Sequence, residues 1–381
     1  MINLAYKDIK HSLGKFVATS MGVGMLLGIV LIMIGVYRGM VIDAQVLIDD
    51  INPDLWIVQE DTLGPFAQSS RVHTDLRDTL KVLDGIDKTA ALTFEGFQID
   101  VNGKAVKVYA VGYDPLGEMS AINPKRLIKG RAILKEHYEV VATDKIGLKL
   151  NDTIKLGRDE YRVVGITHGT VSSGGDPLIY LSLKDAQKLQ FLYSNFRVRN
   201  DRLRGIKSRA NDLVNCVVAK AKKGINLEVL AKEIAKYRHK SVYTQEQERT
   251  ILTKNLIKMA SKQIGMFTVI LIVVSTIIIG LIIYTMTLEK IKEIAIMKLL
   301  GVPNSSIIKM IVQETLVMGI LAFFFGLLFS HLIYDKFPKR VVLQNHDAAA
   351  LFAIVVAASL IASLIGIKRV ISANPAEAIG G

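Results

Sequence analysis

The sequence predicts a membrane α-helical protein, with four transmembrane helices and one large α+β extracytoplasmic domain. Three observations carry that prediction. Half of the 381 residues are hydrophobic and the mean hydropathy is +0.34. The apolar residues collect in four long runs. Between the first and second runs lies a charged segment, residues 38–263, in which strand, helix and turn signals alternate. This composition excludes intrinsic disorder, which needs low hydrophobicity and high charge.

Residues 1–15 read as a short amphipathic segment before the first span, residues 16–37, which contains no charged side chain. The apolar stretch is too long for the core of a signal peptide and no small-residue cleavage site follows, so a retained anchor is expected. The second, third and fourth spans are expected at 264–288, 310–334 and 348–367, each near the ~20 helical residues that cross a bilayer. Basic residues in the short flanks set the orientation. Lys7, Lys10 and Lys15, then Lys290, Lys292, Lys298 and Lys309, then Lys368 and Arg369 outnumber Lys336, Lys339 and Arg340 of the loop 335–347. Both termini and the loop 289–309 are therefore expected on the cytoplasmic side, with a tail at 368–381 and the large domain outside.

In the large domain, Met40, Val41, Ala44, Leu47, Ile48 and Ile51 recur at helical spacing, so span one is expected to continue as a stalk until Asn52-Pro53. Residues 54–59 read as a strand, 74–83 as a helix capped by Thr74, and 89–92 as a strand. Two strands at 97–101 and 105–111 flank Asn102-Gly103, a hairpin signal. Further strands are expected at 139–142, 153–156, 161–165 and 178–181, and strand, helix and strand at 214–219, 227–237 and 240–243. Two strand–helix–strand segments, 54–92 and 213–244, thus bracket a β-rich insert at 93–212. Residues 245–263 read as a second helical stalk.

The net charge of +13 and pI near 9.5 raise the question of a nucleic-acid partner. Basic and acidic residues interleave, without the aromatic-spaced basic blocks of nucleic-acid modules, so none is expected and the lipid bilayer is the natural anionic surface. Cys216 is the sole cysteine, which excludes an intrachain disulfide and C-x-x-C chemistry. Gly14-Lys15 and Gly103-Lys104 do not complete a phosphate-binding loop, no H-E-x-x-H occurs, and Ser172-Ser173-Gly174-Gly175 is not a nucleophile elbow. His137 and His168 read as surface residues. No catalytic residue, metal site or cofactor of the chain's own is expected.

Two polar or small features stand out in the third run. Glu314 is an intramembrane candidate, although a helix beginning before Met310 would place it at headgroup level. Gly319 and Gly326 lie seven apart, on one face where another helix could approach closely. The most informative stretch is 289–309. Ile291, Ile294, Ala295 and Met297–Leu300 make an apolar side on a short helix, with Gly301 suited to its C-terminal cap and Pro303 beyond. Asn304 or Ser305 is expected to cap the next helix. From pattern alone, such a helix either lies on the membrane or docks in a partner's groove.

Here the sequence resembles a family. Lys290-x-Lys292-Glu293-Ile294-Ala295-Ile296-Met297-Lys298-Leu299-Leu300-Gly301, followed by an apolar helix containing Glu314, is similar to the signature of FtsX-like and MacB-like ABC-transporter permeases. Asn374-Pro375-Ala376-Glu377-Ala378-Ile379 resembles the family's D-P-x-E-A-L ending, with Asn in place of Asp. Asn3-Leu4-Ala5-Tyr6-Lys7-Asp8-Ile9 and the Gly165 that closes a Val-Val-Gly strand also fit. The compact insert and the Asp54-Leu55-Trp56-Ile57-Val58 strand resemble the DevC branch, and the lack of the family's ATPase domain resembles the DevC and LolC/LolE systems.

The resemblance implies a MacB periplasmic-core type of external domain, with 54–92 and 213–244 porter-like, on a bacterial inner-membrane protein. It implies a non-catalytic permease paired as a homodimer or with a second permease, each chain bound to a cytoplasmic ABC ATPase subunit that holds ATP and magnesium. Lys290, Lys292, Glu293, Ile294, Met297, Lys298 and Gly301 would be the ATPase-coupling residues. Closure of the ATPases would move this loop and transmit motion to the external domain, driving export or efflux, with a periplasmic adaptor and an outer-membrane channel as further partners. Alternatives are a regulator that activates a cell-wall hydrolase, a lipoprotein-releasing permease, and a ligand-sensing receptor.

Overall fold

The computed structural model describes residues 4–190 and 212–372, apart from residues 102 and 338. Asn3, Asn102, part of the β-rich insert (191–211) and the Asn374–Ile379 motif lie outside the described residues. The chain divides into two compact units, Met1–Gly39 with Ala260–Gly381, and Met40–Met259.

The larger unit is an α+β domain. Its strands are β1 (Leu55–Gln59), β2 (Val72–His73), β3 (Ile86–Val101), β4 (Lys104–Tyr113), β5 (Leu127–Gly130), β6 (Glu139–Thr143), β7 (Thr153–Leu156), β8 (Asp159–Thr167), β9 (Leu178–Ser182), β10 (Leu213–Val214), β11 (Cys216–Ala221) and β12 (Lys240–Thr244). Among the described residues, one sheet runs β12-β1-β11-β3-β4-β9-β6-β8-β5, with β7 added on β8, while β10 pairs with β2. β3 crosses the division expected at residue 93 without a break, and its pairing partner changes there. Its first part pairs antiparallel with β11 and its second, from Thr93, pairs with β4. The run from Ile86 to Val101 carries no proline and only Gly96, so nothing in it forces a turn before residue 102. The insert is therefore an extension of the same sheet.

Alternation along the strands sorts side chains onto the two faces. Leu55 and Ile57 of β1, with Val217 and Ala219 of β11, meet Leu76 and Leu80 of the Leu76–Lys81 helix and Leu230 and Ile234 of the Leu227–Arg238 helix. Trp56, Val58, Cys216 and Val218 face the other way, into a core with Leu47, Ile48, Ile51 and Leu252. Cys216 is buried and free. The insert has its own core, built from Val140, Ala142, Tyr161, Val163, Ile179 and Leu181. One expected cap is corrected: Thr74 does not open the following helix, whose N-cap is Asp75. The Thr74 hydroxyl instead donates to the Asp212 carbonyl, at 2.8 Å, beside the β2–β10 ladder.

The other unit is helical. Leu4–His11 precedes Leu13–Ile51, an unbroken helix of 39 residues. Lys258–Glu289 follows the Gln245–Leu252 helix and a π-helical turn at Thr253–Ile257. Then come Ile291–Leu299, Asn304–Ile333 and Asn345–Ser372. Four of these helices are long and apolar enough to cross a membrane.

Glycines set how close the spans approach. A Cβ on Gly24 would fall 2.7 Å from the Ala322 carbonyl, and one on Gly326 would fall 2.7 Å from the Gly24 carbonyl. Span one and span three thus touch backbone to backbone, as small residues permit in lipid. Gly319 serves a different neighbour: its Cβ would strike the Ser359 hydroxyl of the fourth span, 2.1 Å away.

Candidate functional site

The site is built on the loop between spans two and three. Its helix, Ile291–Leu299, ends in a Schellman motif. Gly301 takes φ +84°, its N–H donates to the Lys298 carbonyl at 3.1 Å, and the Val302 N–H donates to the Met297 carbonyl at 3.0 Å. Only glycine enters that left-handed position without strain. Pro303 then serves as N-cap and Asn304 is already helical, which corrects the expected cap at Asn304 or Ser305. Proline's fixed φ lets the new helix start at once, and the Ser306 N–H donates to the Pro303 carbonyl at 2.9 Å.

The short helix divides its apolar residues between two faces. Ile294 and Ala295 are buried and Met297 packs against the same core, which includes Ile307, Met310 and Ile311 of span three. Ile296, Leu299 and Leu300 point outward, with exposures of 49%, 63% and 77%. Lys292 and Glu293 are exposed too, and 292, 293, 296, 299 and 300 share one helical face. The sequence grouped Ile291, Ile294, Ala295 and Met297–Leu300 on one side, and the structure divides that group. Ile294 and Met297, expected to contact a partner, are turned inward as packing residues, because Ile296 and Leu299 fall on the opposite side of a 3.6-residue turn.

Charges lock the loop in place. Lys290 forms an ion pair with Asp8 of the first short helix, and its Nζ lies 3.8 Å from Oε1 of Glu314. All three side chains are largely buried. Glu314, ten residues into its helix, is thus one corner of an Asp8–Lys290–Glu314 cluster that ties three segments together. A buried charge is tolerated when it is paired, and removing one partner leaves the other stranded. Lys15 and Glu289, 3.1 Å apart, add an exposed pair nearby. Asp8 was not singled out from the sequence; its signal was a lone acid among lysines on an amphipathic segment.

At the far end of span one, Arg38 forms a two-pronged ion pair with Asp347. The Val342 N–H donates to the Gly35 carbonyl at 3.0 Å, and a Cβ on Gly39 would lie 1.8 Å from the Arg340 carbonyl. The loop 335–347 therefore straps span one to span four at that end. Arg38 and Arg340 were read only as charges in the sequence. His137 and His168 are not isolated: their Nδ1 atoms meet Asp185 at 2.7 Å and Asp144 at 2.5 Å. Among the described residues no cluster could hold a metal ion.

Four apolar spans, a large α+β domain inserted after the first, and a clamped amphipathic helix before the third give the layout of a multi-pass membrane protein of permease type. The comparisons with known proteins agree. Residues 16–237 match the model for the MacB-like periplasmic core domain, and residues 265–375 match that for the FtsX-like permease C-terminal region. The chain belongs to the FtsX-like, MacB-like family of ABC-transporter permeases, and it is a multi-pass membrane protein with an extracytoplasmic domain. Membership implies an ABC ATPase as partner.

Among its relatives, an uncharacterized ABC transporter permease of Mycobacterium tuberculosis (strain ATCC 25618 / H37Rv) is 24% identical over 384 residues, covering 100% of both chains. A putative hemin transport system permease protein HrtB of Staphylococcus epidermidis (strain RP62A) is 23% identical over 393 residues, covering 100% of this chain and 99% of that one. The periplasmic region of MacB from Actinobacillus actinomycetemcomitans aligns with a TM-score of 0.36 at 11% identity, over 53% of this chain and 94% of that one.

Proposed function

We propose that this chain is the non-catalytic permease subunit that takes ATP-driven movement from a separate cytoplasmic ABC ATPase and passes it to its own external domain, driving export across the bacterial inner membrane. ATP and magnesium reside on the ATPase. Both termini and the loop 289–309 lie on the cytoplasmic side, as the basic flanks favour. The permease works as a pair, and in a two-membrane envelope its external domain meets a periplasmic adaptor and an outer-membrane channel.

One observation carries this reading. Ile296, Leu299 and Leu300 form an exposed apolar patch on a helix whose other face and both ends are fixed. A rigid helix showing apolar side chains beside Lys292 and Glu293 has the form that docks into a partner's groove. Asp8, Lys290 and Glu314 then convert a push on that helix into a push on span three. A ligand or partner shifts such a system only through its differential affinity for two states, so a loosely held helix would transmit little. The full-length match to permeases named for hemin transport supports transport over activation of a cell-wall hydrolase.

Co-expression with a candidate ABC ATPase subunit and purification of the complex tests this. Leu299→Asp with Ile296→Asp should abolish co-purification while the permease still inserts. Glu293→Lys should leave ATP hydrolysis and reduce transport. An ATPase that binds the double variant as tightly as the wild type refutes the docking face.

A further inference from the structure

The insert of the large domain contains a feature that the coupling mechanism does not use. A cleft of about 510 Å³ opens between the 130–139 segment, the turn at Leu150-Asn151 and strand β8. Its volume falls within the range of small-molecule sites. Three cationic residues are among those lining it, Arg131, Lys135 and Arg162, against a single acidic one, Glu139.

Two buried carboxylates hold the cleft in shape from behind. Glu139 takes both prongs of Arg131, at 2.6 and 2.9 Å, and accepts from the Leu134 and Lys135 N–H groups at 3.0 and 3.2 Å. Asp185 takes Nδ1 of His137 at 2.7 Å and the Tyr138 N–H at 2.9 Å. Between these anchors Tyr138 is forced to φ +65°, a conformation that a bulky residue seldom adopts. Its ring is half exposed at the cleft, with His137 and Tyr161 each 5.8 Å away between centroids. Two buried acids thus fix the backbone on either side of Tyr138.

The charge balance says what would fit. Glu139 is spent on Arg131, and among the described residues neither Lys135 nor Arg162 has a carboxylate partner. Arg162 is steadied by the Asn151 side chain, to which Nη2 donates at 2.9 Å, and among the described residues the rest of its guanidinium fork has no carboxylate partner. Two positive charges thus face one concave space, and an Arg fork beside a Lys suits the oxygens of a phosphate better than a single carboxylate.

We propose that this cleft is a binding site for a doubly charged phosphate group, with Arg162 and Lys135 as its principal ligands and the Tyr138 ring as a wall for the body that carries the phosphate. The proposal does not rest on the ATPase-coupled reading and survives its failure. The phosphate could belong to a soluble monoester or to a lipid headgroup, and the two sources are separable.

The full chain in phosphatidylcholine nanodiscs would be titrated with glycerol 3-phosphate, and in a second arm reconstituted with phosphatidic acid and followed by phosphorus NMR. Saturable binding in the first arm assigns the site to soluble phosphates, and binding only in the second assigns it to lipid. Arg162→Gln and Lys135→Gln should each weaken binding at least tenfold, whereas Lys155→Gln, on β7, should leave it unchanged. Acetate, with one charge, should bind at least tenfold more weakly than glycerol 3-phosphate. Fluorescence of Trp56 monitors folding of each variant, and the two cleft positions are independent should one variant misfold. The proposal is overturned by absence of saturable binding in both arms, by equal loss in Lys155→Gln, or by acetate binding as tightly as the phosphate.

Discussion

Glu139 and Glu248 are both buried glutamates of the large domain, and their surroundings drive them in opposite directions. Arg131 and two backbone N–H groups hold the Glu139 carboxyl down to about 2, well below its usual 4.5, although burial opposes them. Glu248 is 0% exposed and neither of its oxygens has a hydrogen-bond partner among the described residues. Burial alone pushes it up to about 8. The contrast shows that burial does not fix the sign of a shift; the donors supplied with it do.

The reason for the missing donors is local. Glu248 lies in the first turns of the Gln245–Leu252 helix, where free N–H groups would ordinarily welcome a carboxylate. A capping box has used the nearest ones: Thr244 accepts from the Gln247 N–H at 3.3 Å, and the Gln247 side chain accepts from the Thr244 N–H at 3.0 Å. The carboxyl of Glu248 is directed instead toward Gly64, where a Cβ would fall 2.2 Å from it. Directly after this helix the chain makes its π-helical turn at Thr253–Ile257.

The largest test of this contrast is Glu139→Gln. It takes the charge from a buried carboxylate that accepts four hydrogen bonds, while Arg131, 43% exposed, turns to water, so it should cost up to about 3 kcal/mol. Trp56, the sole tryptophan and fully buried in the shared sheet, reports unfolding of this domain in the intact protein. The pH dependence has a definite sign. A depressed carboxyl stabilises the fold above its ordinary value, and that stability is lost as pH falls from near 4.5 toward 2. The variant should lack this acid limb. An unchanged acid limb would show that Arg131 is not what holds Glu139.

Glu248→Gln should do the reverse, with a somewhat smaller effect. A carboxyl raised in the folded state keeps its proton while the unfolded chain releases it. Stability is then full below about 4.5 and declines as pH rises through about 8. The glutamine variant should be flat across that window and about 2 kcal/mol more stable than wild type at pH 9. Parallel curves for the two proteins would mean that Glu248 finds a partner in solution. Gly64→Ala comes next, at about 1 kcal/mol for a left-handed residue with no room for its methyl group. In a Glu248→Ala background that cost should shrink, and a double-mutant cycle measures by how much.

The four spans were legible because bilayer thickness imposes a length on apolar runs, and most strands were legible from alternation. What escaped was the single strand β3, since residues 89–92 and 97–101 each looked complete and the link between them carried no contrary signal. Within the loop 289–309, the Gly301 cap could be read because glycine there answers a backbone need. The division of Ile294 from Ile296 could not, because both are equally apolar and only the helix's rotation about its axis decides which faces inward. Asp8, Lys290 and Glu314 stand 282 and 24 positions apart along the chain, a juxtaposition that follows from packing and leaves no local pattern. Glu139 and Glu248 were likewise indistinguishable as letters.

The smallest expected effect is the most diagnostic of the cleft. Tyr138→Gly removes a left-handed strain worth about 1 kcal/mol and adds a comparable entropic cost of glycine in the unfolded chain. The two should nearly cancel, leaving stability within about 0.5 kcal/mol of wild type. The balance depends on the anchors that enforce φ +65°, namely Asp185 on the Tyr138 N–H and Glu139 on Arg131, Leu134 and Lys135. In a Glu139→Gln background one anchor is lost and the segment can relax, so relieving the strain should gain less there than in the wild type. Full additivity between the two substitutions would mean that Glu139 has no part in holding Tyr138, and the opposition between the two glutamates would then be a matter of charge alone.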